Sequence, residues 1–379
     1  MNRRTFLAAS GTAAAALAAG MPSAASAAEK PSAFVSPTKD KPLLLCFNEN
    51  PMGMSKKAIE AANKACAHGN RYAFLRFGDL KKACAAYVGA KPENVLLTHG
   101  SSEAIRASIE AYASPDARLF VPELTYSDGA DVAGRNGIPV VRVKMKGDWT
   151  VDIPAMRKAV DQWYGFSIVY LPNPNNPTSS LCDCKALNDW IRSKPAGTMF
   201  VIDEAYGEFV DDPSFVSAET LVAEGLDNVI VLKTFSKIFA MAGMRLGFAY
   251  AQPKVIRRLR DRVAYEVMMS TAAIEAGLSE LGDKEFLKAS RDSNAEARKI
   301  LSAAFDELKL HYIPSQTNFM FVDLKAPLKA FADRMRGENI LVGRPFPPAD
   351  TWCRISLGTP DETKYFVKKL KEFRAKGWV

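Results

Sequence analysis

Seven short apolar runs, separated by segments of different character, constrain the fold of this chain more than any other feature. The runs are Val95–Thr98, Leu119–Val121, Val140–Val143, Ile168–Leu171, Met199–Ile202, Val229–Leu232 and Leu246–Tyr250. Helical periodicity lies between several of them, for example in Glu103–Tyr112 and Asp183–Arg192. Strands that alternate with helices are typical of a mostly parallel sheet that helices cover on both faces. The sequence therefore predicts an α/β fold.

The pattern changes near residue 253, which indicates a second domain. Pro253–Leu310 has a charged helical pattern, and strand-like runs near Phe319–Leu324 and Cys353–Leu357 follow it, flanked by helices. A chain of 379 residues is also more typical of two lobes than of one. We predict a large domain at 55–253, and a linking helix with a smaller α/β domain at 254–379. An N-terminal arm at 28–54 would join the smaller domain.

The first 27 residues have the composition of an export signal. Arg3 and Arg4 precede an Ala-rich apolar stretch, which ends in the small residues Ala25–Ala27. This order is typical of a cleaved signal peptide, and "RRTFL" resembles the twin-arginine signal that exports folded proteins. A general secretory signal is the alternative. We expect a periplasmic bacterial protein without stable membrane insertion, because no later run is long and apolar enough to span a bilayer.

Composition and charge exclude several classes of protein. The hydrophobic fraction of 48% and the charged fraction of 24% are those of an ordinary soluble enzyme. The net charge of +8 is dispersed and forms no basic stripe, so we expect no nucleic-acid partner. We also expect no metal site, because Cys182 and Cys184 are only one residue apart and the three histidines are scattered. Whether any of the six cysteines form disulfides stays open.

Polar motifs follow four of the predicted strands, where ligands collect in parallel sheets. "HGSSEAI" places Ser101 and Ser102 at the start of a helix, where backbone N–H groups bind phosphate. "PNPNNPTSS" places Asn176 in a loop after the fourth strand. An ordinary helix cap and a plain Asn-Pro turn are the alternatives for these two motifs.

The other two motifs carry ionisable groups. "DEAYGEF" places Asp203 at the end of an apolar strand, where an uncompensated carboxylate would be costly, with Tyr206 three residues later. "KTFSKIFAMAGMRLG" holds Ser236, Lys237 and Arg245 in a segment that is otherwise apolar. A structural salt bridge is the alternative for Asp203.

Pyridoxal 5′-phosphate explains all four motifs together. Its aldehyde condenses with a lysine, which is Lys237 here, and its protonated ring nitrogen needs a carboxylate, which is Asp203. Asn176 and Tyr206 would hold its 3′-oxygen. Four groups would bind its phosphate: Ser101, Ser102, Ser236 and Arg245.

At this point the sequence resembles a known family. The motifs "NENPMGMS", "NRYAF", "HGSSEAI", "PNNPT", "DEAYGEF", "KTFSKIFAMAGMRLGF" and "CRISLGT" occur in the order found in fold-type I, class I/II pyridoxal-phosphate aminotransferases. The resemblance is greatest to the histidinol-phosphate aminotransferase branch and runs from about Leu44 to Phe373. It implies a large domain with a mostly parallel seven-stranded sheet and a smaller α/β domain.

The resemblance also implies roles for further residues. Tyr126 of "LTYSD" would stack on the cofactor ring, and Tyr72 of "NRY" would reach the phosphate bound by a second subunit, which implies a homodimer with shared active sites. Arg354 of "CRISLGT" would bind the substrate carboxylate. Asn50 and Arg344 are further substrate-binding candidates.

The predicted function is transfer of an amino group between an L-amino acid, or a histidinol-phosphate-like amine, and a 2-oxo acid by a ping-pong Schiff-base mechanism. A lyase, racemase or oxidase with the same fold is the main alternative. A non-catalytic binding protein would not need Lys237, and a nicotinamide enzyme would need a Gly-x-Gly-x-x-Gly turn, which is absent here.

Export can be tested at Arg3 and Arg4. We expect replacement of both by lysine to leave the precursor in the cytoplasm with its cofactor bound, because the twin-arginine route requires that pair. Cell fractionation and immunoblotting measure the distribution. An unchanged periplasmic yield would assign the chain to the general secretory route.

Overall fold

The structure is a computed structural model that describes residues 34–265 and 268–379. The predicted signal peptide therefore lies outside the described residues. All elements below belong to one unit, residues 37–379. The strands are β1 (Leu43–Leu45), β2 (Val95–Thr98), β3 (Arg118–Pro122), β4 (Val140–Val143), β5 (Ser167–Pro172), β6 (Thr198–Asp203), β7 (Val229–Thr234), β8 (Gly247–Tyr250), β9 (His311–Ile313), β10 (Phe319–Asp323), β11 (Ile340–Val342) and β12 (Trp352–Ser356).

The α-helices occupy most of the intervening sequence. They are α1 (Lys56–Cys66), α2 (Arg76–Tyr87), α3 (Ser101–Glu110), α4 (Asp128–Arg135), α5 (Ile153–Asp161), α6 (Cys184–Arg192), α7 (Glu219–Ala223), α8 (Pro253–Arg260), α9 (Thr271–Gly282), α10 (Lys284–Glu307), α11 (Leu328–Gly337) and α12 (Pro360–Ala375). Among the residues described, no helix is long and apolar enough to cross a bilayer.

The seven predicted strands form one mixed sheet in the order β2-β8-β7-β6-β5-β3-β4. Strands β3 to β7 pair in parallel, and only β8 runs antiparallel to its neighbours β7 and β2. The prediction of a mostly parallel, seven-stranded sheet is confirmed. Strand β8 reverses because it follows β7 through a loop that contains no α-helix, and a parallel return needs a longer crossover.

Both faces of the sheet are buried, as parallel sheets require. On β6, Phe200 and Ile202 belong to the core on one face, while Met199 and Val201 belong to the core on the other. The same alternation continues on β7. Each strand therefore reads as a continuous apolar run and ends where its polar motif begins.

The predicted helical region after residue 253 divides into three helices, α8, α9 and α10. Asp283 separates the last two, because its side chain accepts a hydrogen bond from the Phe286 backbone N–H and so begins α10. The remaining chain forms an antiparallel sheet, β12-β10-β9, next to α10, α11 and α12. Strand β1 pairs in parallel with β11. The domain limits given above stay predictions.

The start of β8 and the turn before α3 approach very closely at Gly247. A Cβ atom at this position would lie 2.8 Å from the Ser101 backbone nitrogen and 2.9 Å from the Lys233 carbonyl oxygen. Real Cβ atoms do not approach backbone atoms this closely, so only glycine fits here.

We expect Gly247→Ala to lower the free energy of unfolding of the apoprotein by about 1–3 kcal/mol, since backbone must move to admit the methyl group. Gly134 in α4 is the matched control, because a Cβ there meets nothing within 4 Å. Gly134→Ala should raise the free energy by about 0.5–1 kcal/mol, since alanine favours helix. Urea unfolding measures both, and equal effects would contradict the close approach at Gly247.

Candidate active site

One cavity of about 290 Å³ opens at the carboxyl ends of β2, β5, β6 and β7. These ends share one edge of the sheet, so motifs that are distant in sequence become neighbours. Eleven of the predicted site residues line the cavity: Ser101, Ser102, Tyr126, Asn176, Asp203, Tyr206, Ser236, Lys237, Arg245, Arg344 and Arg354. Asn50 and Tyr72 do not.

One end of the cavity is built for an anion. Gly100 (φ 80°) precedes α3, whose first two residues are Ser101 and Ser102. Arg245 adopts a left-handed backbone conformation (φ 56°), and a Cβ on Gly100 would lie 2.5 Å from its guanidinium. Within the described chain Arg245 has no carboxylate partner, and its Nη1 donates to the Ala242 carbonyl. The Ser101 hydroxyl, helix N–H groups and a guanidinium thus face one small space, while the Ser102 hydroxyl donates to Asp128 at 2.8 Å.

A buried carboxylate lies at the end of β6. Asp203 is 5% exposed, and its oxygens accept hydrogen bonds from the Tyr170 hydroxyl (3.0 Å) and the Ala205 N–H (3.1 Å). Burial raises the pKa of Asp203 to about 6, against the lowering effect of these two hydrogen bonds. No described lysine or arginine forms an ion pair with it. The carboxylate therefore favours a cationic N–H donor in the cavity.

A primary amine lies nearby with no acid partner. Lys237 is half-buried, and its Nζ donates to the Asn48 carbonyl oxygen at 3.0 Å and lies 5.6 Å from the centre of the Tyr206 ring. No carboxylate in the described ranges is within ion-pair distance. An amine held only by neutral carbonyls, those of Asn48 and Phe47, is free to exchange these contacts for a covalent bond with an aldehyde.

Asn48 is a site residue that the sequence interpretation missed. Its Nδ2 donates to the Tyr206 hydroxyl at 3.1 Å, and its Oδ1 accepts from Ser356 Oγ at 2.9 Å. Its carbonyl oxygen also accepts from Lys237 Nζ and from Asn318 Nδ2. Asn48 has φ 55°, which asparagine tolerates better than most residues. Asn48 and Asn50 both lie in the motif "NENPMGMS", and local sequence does not show which of the two lines the cavity.

Tyr170 is a second residue that was missed, because it lies inside the apolar run of β5. It is fully buried, and its hydroxyl contacts the carboxylate of Asp203. A tyrosine in a strand is more often part of a core, and nothing in the local sequence identifies its partner on β6.

Asn176 and Arg354 both line the cavity and are in direct contact. Arg354 Nη1 donates to Asn176 Oδ1 at 2.8 Å, and its Nη2 donates to the Cys46 carbonyl at 2.7 Å. Arg354 lies on β12, where Cys353 and Ile355 point into the core, as alternation predicts. The Asn176 Nδ2 has no described acceptor and remains free to donate to a ligand.

Asn50 and Tyr72 lie outside the cavity, and Tyr126 lines it. Asn50 Nδ2 donates to the carbonyls of Lys237 and Ile238 and to Ser290 Oγ, so it holds the backbone of the lysine loop instead of lining the cavity. Tyr72 is 80% exposed and lies outside the cavity, so its contact with a second subunit stays a prediction. Tyr126 is half-buried beside Asp128, and burial raises its pKa.

Several of these features fit pyridoxal 5′-phosphate. Because Gly100 and Gly247 have no side chains, Arg245 and the start of α3 lie close together, and their N–H groups could bind a phosphate. Asp203 would hold the ring nitrogen, and Lys237 would hold the aldehyde carbon. Asn176 Nδ2 and Tyr206 would hold the 3′-oxygen. In the described part of the chain no group of acidic, His or Cys side chains could hold a metal ion.

Comparison with known proteins agrees with this geometry. Residues 40–370 match the family model described as aminotransferase class I and II. Histidinol-phosphate aminotransferase from Symbiobacterium thermophilum is 34% identical over 336 residues, which cover 87% of this chain and 90% of that protein. The crystal structure of histidinol-phosphate aminotransferase from Sinorhizobium meliloti in complex with pyridoxal 5′-phosphate is 25% identical, with a TM-score of 0.81, and the match covers 88% of this chain and 91% of that chain.

A second crystal structure is more similar. It comes from Erwinia carotovora atroseptica and is provisionally named a histidinol-phosphate aminotransferase. Its chain is 48% identical to this one, with a TM-score of 0.90, and the match covers 92% of this chain and all of that one.

We expect Asp203→Asn to lower kcat by about 10³-fold, on the order of 4 kcal/mol, because the amide cannot stabilise a positively charged ring nitrogen. Tyr170→Phe keeps the carboxylate of Asp203 and removes one of its two hydrogen bonds, so we expect kcat of this variant to fall about tenfold. Steady-state kinetics measure both, and cofactor absorbance checks loading. Near-normal turnover in Asp203→Asn would show that the carboxylate is structural.

Proposed function

Because this chain belongs to the class I and II aminotransferases, which use pyridoxal 5′-phosphate, we propose that Arg354 selects its substrates. The substrates are then an L-amino acid, or an amine with an acidic group like histidinol phosphate, and a 2-oxo acid. The relatives named above support transamination over the lyase, racemase and oxidase chemistries.

The observation that carries this proposal is the unpaired charge of Arg354. Its guanidinium donates only to neutral oxygens, those of Asn176 and Cys46, and its buried Nε has no partner among the residues described. Burial lowers the pKa of Arg354, because a guanidinium cation loses solvation without gaining an ion pair. An incoming carboxylate supplies the missing countercharge and accepts hydrogen bonds in the geometry that guanidinium favours.

A second cation supports substrates that carry two acidic groups. Arg344 is exposed and lines the same cavity, with its guanidinium 4.7 Å from the centre of the Phe346 ring. The guanidinium of Arg354 is 5.1 Å from the same ring. Two guanidinium groups therefore flank one aromatic side chain, and neither has a carboxylate partner in the described ranges. A dicarboxylate or a phosphate monoester would satisfy both.

The remaining residues divide the chemistry between them. The bound cofactor supplies a ring that withdraws electrons from the substrate Cα. Asp203 keeps a proton on the ring nitrogen by holding a negative charge beside it. Lys237 Nζ is the base within the cavity that takes the Cα proton of the substrate. Arg354 orients the substrate so that this proton faces Lys237.

We propose further that the enzyme is an exported homodimer with shared active sites. The signal-like residues 1–27 support export. Exposed Tyr72, Phe74 and Leu75 support a subunit contact, since apolar side chains that are 80%, 69% and 83% exposed favour burial against a second chain.

We expect Arg354→Lys to retain the bound cofactor and its visible absorbance while kcat/KM for amino acids falls about 10²-fold, or roughly 2.7 kcal/mol, because an ammonium cannot form two parallel hydrogen bonds. Arg344→Lys is the matched control, because it should impair only substrates with a second acidic group. Kinetics with glutamate, alanine and histidinol phosphate separate these effects. Unchanged kinetics in Arg354→Lys would place carboxylate recognition elsewhere.

A further inference from the structure

A cluster of four ionisable side chains lies behind the segment that carries Asp203 and Tyr206. The Nζ of Lys233 lies 3.1 Å from Glu204, 3.2 Å from Glu208 and 2.7 Å from Glu219. The exposed fractions of these side chains are 7% for Lys233 and 1%, 9% and 26% for the three acids. None of the four lines the cavity. We call this set the Lys233 cluster.

The Lys233 cluster joins the two strands that carry the reactive groups. Glu204 directly follows Asp203, and Glu208 comes two residues after Tyr206. Lys233 lies near the end of β7, four residues before Lys237. Asp203 pairs with Leu232 in the β6–β7 ladder, so these strand ends are adjacent. The cluster therefore connects residues 204–208, which directly follow β6, to β7, the strand that leads into the lysine loop.

The charge of Lys233 is maintained inside the protein. Burial alone would lower its pKa, but the carboxylates of Glu208, Glu204 and Glu219 raise the pKa well above its usual value. Buried ion pairs of this kind add little net stability over apolar side chains of similar size, because desolvation offsets the attraction. They do require a particular geometry, since each charge must meet its partner.

Other contacts hold Glu204 and Glu208 in place. Glu204 accepts hydrogen bonds from Ser217 Oγ (2.6 Å) and the Ala218 N–H (2.7 Å). The Glu208 carbonyl accepts from Arg291 Nε at 2.8 Å. The segment from Asp203 to Glu208 is thus held near both of its ends, and the Lys233 side chain contacts the carboxylate of Glu204 near one end and that of Glu208 at the other.

We propose that Lys233 is a positioning residue for the cofactor site, which acts through Glu204 and Glu208 to hold Asp203 and Tyr206 at their working distance from Lys237. Glu219 lies on α7, outside that segment, and serves to neutralise charge. This inference rests on the family's cofactor chemistry and is independent of the substrates proposed for Arg354.

A matched pair of substitutions separates positioning from charge balance. Glu208→Gln and Glu219→Gln each remove one negative charge in contact with the same Nζ, and each keeps the shape of the side chain. Because three acids surround one lysine, either change reduces an excess of negative charge, so both proteins should fold. Only Glu208 belongs to the segment that holds Asp203 and Tyr206.

We expect Glu208→Gln to lower kcat and the affinity of the apoprotein for pyridoxal 5′-phosphate about tenfold each, while Glu219→Gln changes both less than about twofold, since displacement of reacting groups is costly. Glu208→Gln should also shift the pH at which the visible absorbance of the bound cofactor titrates. Kinetics, equilibrium cofactor titration and absorbance against pH measure these effects, and thermal unfolding of each apoprotein reports its stability.

Equal losses in the two variants would show that the cluster acts through charge alone, and no loss in either would show that it is only structural. Both results overturn the proposal. If Glu208→Gln is too unstable to purify, Lys233→Arg takes its place, because it keeps the charge and changes the geometry. We expect Lys233→Arg to lower kcat and the affinity for pyridoxal 5′-phosphate about tenfold each relative to Glu219→Gln. Normal cofactor affinity in Lys233→Arg would overturn the proposal.

Discussion

The parallel pairing of β5, β6 and β7 is the constraint on which the site depends. In this ladder Pro172 pairs with Asp203, and Asp203 pairs with Leu232, so β5 and β6 end at the same level and β7 ends two residues later, at Thr234. Because side chains alternate along a strand, a slip of one residue would turn Asp203 away from the cavity. The buried apolar residues on both faces prevent such a slip, and core packing in this way determines where the polar groups meet.

The cavity is also lined by charged side chains that have no ion-pair partner within the described residues. Asp203, Lys237, Arg245 and Arg354 form no ion pair with one another or with other described side chains. Asp203 is buried and Lys237 and Arg354 are half-buried, and leaving such charges unpaired is unfavourable, so the apoprotein is less stable than a fully paired protein would be. Ligands that bring the opposite charges relieve this cost. The strength of ligand binding and the instability of the apoprotein therefore have the same physical origin.

Local sequence was sufficient to predict the strands of the large sheet, with ends that differ by at most two residues from those observed. It also predicted the motif residues at the strand ends, because a polar group directly after a buried run can be recognised in the local sequence. Asn48, Tyr170 and the Lys233 cluster could not be found this way. Asn48 meets Ser356, which is 308 positions away, and Tyr170 on β5 meets Asp203 on the adjacent strand β6. Short strands such as β1 and β11 were missed because three residues carry no measurable periodicity.

The loop from Gly343 to Ala349 has a consequence for how this enzyme acquires new specificities. Gly343 cannot vary, because a Cβ there would collide with the Arg354 backbone. Arg344 and Phe346, the two neighbours of Pro345, line the cavity. The loop that carries them has no reactive group. Mutation can therefore alter the shape and charge of the substrate pocket at these two positions while Lys237 and Asp203 stay in place. Divergence within such a lineage should concentrate in this loop, and a directed library would begin there.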